Sequence, residues 1–102
     1  MAVLRAPENP IIGPKDVRPS QEGLEVIGAF NAGVARLGSE VILLLRVAER
    51  PVNEDPDAVL TALFDPRANR LVTRSFAKSD PENDFSDPRL IVRPEGTYLT
   101  SI

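Results

Sequence analysis

The chain has 102 residues, 12 Lys+Arg against 15 Asp+Glu, no histidine and no cysteine. That length supports one small domain or a piece of a larger one. Without Cys or His there is no disulfide framework, thiolate nucleophile, His-dependent hydrolysis or Cys/His metal site. A net charge of −3 argues against nucleic acid as a partner, which would need a clustered basic surface.

Ten prolines, about twice the average share, leave little room for long helices. The first stretch carries Asn9-Pro10, Gly13-Pro14, Arg18-Pro19 and Gly23, so residues 1–24 read as an extended, proline-rich leader. Its opening has no apolar core of signal-peptide length. The longest aliphatic run, Val41-Ile42-Leu43-Leu44-Leu45, is far too short to span a membrane. A cytoplasmic protein without membrane partners is the expectation.

From residue 25 to 102 the chain reads as short β-runs arranged in hairpins. Residues 31–37 pair with 40–48 across Gly38-Ser39, a two-residue link suited to a β-hairpin. A second hairpin joins 58–65 to 70–76 through Pro66-Arg67-Ala68-Asn69. The third joins 89–93 to 97–102 through Pro94-Glu95-Gly96. The fold class is therefore all-β, an antiparallel meander of the kind found in sandwiches, barrels and propellers. The acidic segments 49–57 and 77–88 read as solvent-exposed loops. Phe64 and Phe76 are placed to face each other across the second hairpin. The last residues, Thr97 to Ile102, run into the terminus as a strand, so the sheet is expected to be completed by further chain or by another copy.

Two polar residues interrupt the apolar runs. Strand 40–48 is apolar on both faces and is expected to be buried on both. Arg46 falls inside it, and a buried guanidinium must be paired. It serves either as a structural ion-pair partner of Glu25 or Glu40, or as a cation aimed into a polar cavity to bind hydroxyls, carboxylate or phosphate. Asn31 either satisfies local backbone at the strand start or projects its amide beside Arg46. An amide next to a guanidinium suits sugar hydroxyls, which both donate and accept hydrogen bonds.

Other candidates read as structural. Asp87 before Pro88 suits turn initiation. The cluster Asp80-Pro81-Glu82-Asn83-Asp84 lacks calcium-loop spacing and reads as a solvated acidic loop. No metal is expected. The remaining carboxylates show no spacing that singles out an acid/base pair.

Several segments, taken in order, resemble glycoside hydrolase family 130. They are Glu8-Asn9-Pro10-Ile11-Ile12, the run Val26-Ile27-Gly28-Ala29-Phe30-Asn31-Ala32-Gly33, Arg36-Leu37-Gly38-Ser39-Glu40, and the block from Leu43 to Arg50. Asp84-Phe85-Ser86-Asp87-Pro88-Arg89-Leu90 and Tyr98-Leu99-Thr100-Ser101-Ile102 complete the set. The resemblance implies the first blades of a five-bladed β-propeller, incomplete in this chain, corresponding to the N-terminal third of a carbohydrate-active protein. Most members split β-mannosides with inorganic phosphate, which is a co-substrate; no cofactor is implied. Asn31 and Arg46 are then the substrate-binding residues, holding a β-mannoside or other oligosaccharide.

The same resemblance places the catalytic acid and the phosphate-binding residues outside this chain. Asp87-Pro88-Arg89 imitates the catalytic motif, but Ser86 stands where that motif has Glu. No residue here is assigned as catalytic, and the chain alone is expected to be inactive. The alternative is a non-catalytic β-rich module that self-assembles as a homo-oligomer or binds sugar.

Overall fold

The structure, a computed structural model, describes Leu4 and residues 6–102. A short 3-10 turn, Pro14–Asp16, precedes six strands. These are β1 (Leu24–Leu37), β2 (Glu40–Pro51), β3 (Ala58–Asp65), β4 (Arg70–Ala77), β5 (Leu90–Arg93) and β6 (Gly96–Leu99). They pair in sequence as three antiparallel hairpins, β1–β2, β3–β4 and β5–β6. The all-β antiparallel architecture expected from the sequence is thus observed. No helix among the described residues is long and apolar enough to cross a membrane.

The turns explain the registers. Gly38 adopts φ +61°, as a tight two-residue hairpin turn demands, and Leu37 pairs with Glu40 to close it. Asn69 takes φ 50°, a left-handed conformation that Asn tolerates well, and sets Asp65 opposite Arg70. That register overturns the expected Phe64–Phe76 pair. Phe64 lies opposite Leu71 and is largely exposed, whereas Phe76 lies opposite Val59 and is 3% exposed.

The core is small: Leu24, Ala58, Ala62, Phe76 and Ile91 are its buried apolar residues. It sits where the bases of the hairpins meet, around a stack of side chains on β4, β5 and β6. The Phe76 and Tyr98 rings lie 4.9 Å apart with a 44° tilt. The Arg74 guanidinium stands 4.7 Å from the Phe76 centroid and 5.0 Å from that of Tyr98, and donates to the Tyr98 hydroxyl at 2.9 Å. Such cation–π contacts add to the area the rings bury.

Longer-range ties hold the hairpins and the leader together. Glu49, expected in an exposed loop, is instead on β2 and 7% exposed. Its carboxylate accepts from the Ser20 backbone N–H and hydroxyl, both at 2.5 Å, which satisfies a charge that could not otherwise be buried. Its backbone exchanges two hydrogen bonds with Ile102, at 2.7 and 2.9 Å. Gln21 grips the Leu71 backbone, donating to its carbonyl at 2.7 Å and accepting from its N–H at 3.1 Å.

The outer half of hairpin β1–β2 projects from this base. The chain exposes 8188 Å², against about 5,700 Å² for a compact monomer of its mass. Its radius of gyration is 17.9 Å, against about 13 Å for a compact domain of this length. Strand 40–48 is therefore not buried on both faces as its apolarity suggests: no element among the described residues lies over Val41 to Leu44, all of which are exposed.

Candidate functional site

β1 is two residues longer, along its paired stretch, than the strand it faces. The register with β2 slips by one residue between Val26 and Gly28 and again between Phe30 and Gly33. At the second slip Asn31 and Ala32 together oppose Leu45, which makes a β-bulge. Bulges bend a strand, re-aim side chains and are enriched beside functional sites. Asn31, singled out for its chemistry, thus occupies the one segment of the projecting hairpin whose backbone departs from a regular ladder on the turn side of Phe30.

Arg46 lies at the edge of this bulge, directly opposite Phe30. It is exposed, which corrects the expectation of a buried guanidinium. Neither expected ion-pair partner holds it. Glu25 bonds Arg50 at 2.6 Å, and Glu40 sits at the hairpin turn opposite Leu37. Among the described residues no carboxylate pairs with Arg46, and no side-chain hydrogen bond engages Arg46 or Asn31. Arg46 pairs with the residue that precedes Asn31, and neither side chain has its donors or acceptor spent. An exposed guanidinium and amide so placed can bind a polyhydroxylated ligand.

The other candidates are occupied by local structure. Asp87 accepts from the Arg89 backbone N–H at 3.0 Å and takes the Arg89 guanidinium on both oxygens at 3.1 and 2.8 Å. The bond from the Arg89 side chain, reinforced by the backbone bond, pulls the Asp87 carboxyl from its ordinary 3.8 to about 2. A carboxyl held ionised this firmly makes a poor proton donor.

Arg93, 15% exposed on its side chain, absorbs the acidic loop. It bonds Glu95 at 2.6 Å, Asp80 at 3.3 Å and Glu82 at 3.4 Å, and donates to Asn83 as well. The Glu82 backbone N–H, followed by Arg93, lowers the pKa of Asp80; Arg93 is the main cause for Glu95. Sequence reasoning treated this loop as solvated because the spacing of Arg93 from residues 80–83 gives no local signal.

These lowered carboxyls predict the acid response. Asp80, Asp87 and Glu95 all bind protons less readily in the folded chain than when unfolded. Their stabilisation is therefore complete above about pH 5 and is lost as pH falls toward about 2. Thermal melting at stepped pH should show a falling midpoint over that window, and Arg93→Ala should flatten the fall. A midpoint independent of pH below 5 would contradict this account.

A concavity of about 470 Å³ lies elsewhere, at the hairpin bases. Its polar lining includes the Glu25–Arg50 pair, Asn53, Arg89 and Thr100. Both arginines there are already matched to carboxylates, Glu25 and Asp87, and Thr100 donates to the Pro88 carbonyl. Its charges are spent, unlike those of Arg46.

Comparison with known proteins bears on this hairpin. No family model matches the chain. Over 106 aligned residues it is 51% identical to the β-1,2-mannobiose phosphorylase of Listeria innocua, covering 100% of this chain and 30% of that protein. The solved structure of the Listeria innocua β-1,2-mannobiose phosphorylase in complex with β-1,2-mannobiose matches with a TM-score of 0.80 and 52% identity, covering 95% of this chain and 29% of that one. The chain thus spans about 30% of the length of the relative it matches. It is homologous from end to end to part of a β-1,2-mannobiose phosphorylase, which bears out the resemblance to glycoside hydrolase family 130 read from its sequence.

Proposed function

We propose that this chain is the substrate-positioning part of a phosphorylase that splits β-mannosides, with Asn31 and Arg46 holding the sugar. The observation that carries this reading is the exposed, unpaired Arg46 beside the Asn31 bulge, in a chain 51% identical throughout to a mannobiose phosphorylase. In the complete reaction phosphate attacks the anomeric carbon while a carboxylic acid protonates the departing oxygen, through an oxocarbenium-like transition state. The Arg46 guanidinium would donate to sugar hydroxyls, and the Asn31 amide would both donate and accept.

Asp87, held ionised by Arg89, takes no part as the acid. The hairpins of residues 25–102 would form the first blades of a propeller completed by further chain. Cytoplasmic localisation belongs to the same reading, since a phosphorylase consumes inorganic phosphate, which the cytoplasm supplies. A second reading, a sugar-binding module that associates with copies of itself, is favoured by the exposed apolar residues Val34, Leu37, Val41 and Leu44 on the projecting hairpin.

The test is calorimetric titration with β-1,2-mannobiose. Arg46→Ala should weaken binding about tenfold or more, the loss expected for a charged hydrogen-bond donor, with the melting midpoint unchanged because Arg46 is exposed. Asn31→Ala should weaken it less. Unfolding by Arg46→Ala would instead make that residue structural and overturn the assignment.

A further inference from the structure

Phe30 stands in an unusual place for a large aromatic residue: 51% exposed, on the projecting hairpin. Its cross-strand partner is Arg46, so the two side chains share one face of the sheet. The next residue along the chain is Asn31, where the bulge begins. The Phe30 ring also has a fixed seat. A Cβ built on Gly28, two residues back on the same face, would fall within 3.1 Å of three ring atoms. Gly28 is buried beneath it. Only glycine leaves room for the ring to fold back along the strand, and a ring seated there loses little further freedom on binding a ligand.

Resting on the reading proposed above, we infer that Phe30 is a further sugar-contacting residue, an apolar platform for the carbon–hydrogen face of a pyranose ring bound by Arg46 and Asn31. A pyranose presents hydroxyls around its rim and C–H bonds on its faces. A site for it therefore needs hydrogen-bonding groups next to a flat apolar surface, and the cross-strand pair of Phe30 and Arg46 supplies both on one face, with Asn31 at the adjoining bulge. Arg46 and Asn31 would set the position of the hydroxyls. Phe30 would select a sugar whose exposed C–H face lies toward β1, and Gly28 is the positioning residue that seats the ring.

The experiment is titration of the full chain with β-1,2-mannobiose by calorimetry, for the unsubstituted protein and for Phe30→Tyr, Phe30→Leu, Gly28→Ala, Arg46→Ala and Leu44→Ala. Phe30→Leu keeps an apolar side chain without the flat face, and it should weaken binding about 3- to 10-fold, while Phe30→Tyr should retain it. Gly28→Ala should reproduce the loss by unseating the ring. Leu44→Ala, 79% exposed and opposite Gly33, should bind as the unsubstituted chain does.

Contacts between Phe30 ring protons and carbon-bound sugar protons, read by NMR in the unsubstituted complex, give the same answer without relying on any variant to fold. If Arg46→Ala loses binding while Phe30→Leu binds fully and no such contacts appear, the platform is refuted and the site reading stands. Absence of binding by the unsubstituted chain refutes both.

Discussion

Phe76→Ala is expected to lower stability by about 3–5 kcal/mol, the cost of deleting a buried aromatic side chain. Against a total of about 5–15 kcal/mol for a folded domain, that removes between roughly a fifth and all of the stability. Phe76 is 3% exposed, and its ring joins its strand neighbour Arg74, at 4.7 Å, to two residues distant in sequence, Tyr98 at 4.9 Å and Arg93 at 5.8 Å. Removing it takes away the surface on which two guanidiniums rest, so the Arg93 network should loosen too. Phe76→Leu, which keeps most of the volume but no π face, should cost clearly less. Urea denaturation measures both, and equal midpoints for Phe76→Ala and the unsubstituted chain would contradict the packing described.

Ile91→Ala should be the next most damaging change, at about 2–5 kcal/mol, with Ile91→Val at about 0.5–1.5 kcal/mol. Ile91 is 0% exposed and pairs with Tyr98 across β5–β6. That hairpin has only four residues in each strand, and an isolated hairpin is marginal in water. Its order depends on what Ile91 buries. Hydrogen exchange should show the amides of β5 and β6 losing protection first in Ile91→Ala. Uniform loss across β1–β6 would mean instead that the core unfolds as one unit.

The hairpins were legible in the sequence because their signals are local. Gly38-Ser39 and Pro94-Glu95-Gly96 are turn chemistry, and the runs between them are β-branched and apolar. The starts and ends were less visible: β1 begins at Leu24, well before residue 31, and β2 extends to Pro51. Nothing local marks Glu49 for burial, because its partner Ser20 is 29 residues away. The Phe76–Tyr98 stack joins separate hairpins and follows from the fold, not from spacing.

Asn31 and Arg46 were recognisable as polar interruptions of apolar runs and from the family resemblance. Their setting was not. An apolar run reads as buried, yet here it lies on a projecting hairpin, so Arg46 is exposed and unpaired where a structural ion pair was one expectation. The bulge that carries Asn31 has no marker in a run of small residues such as Ala32 and Gly33. Phe30 carries no local signal, because its meaning depends on the register with Arg46 and on the space left by Gly28.

The central claim is that the bulged face of β1–β2 is where sugar is held. Titrating β-1,2-mannobiose into the isotope-labelled chain and mapping backbone amide shifts tests it most directly. The account predicts that the shifts concentrate at residues 28–32 and 45–48. Shifts concentrated instead around Glu25, Arg50, Asn53, Arg89 and Thr100, which line the cleft at the hairpin bases, would contradict it.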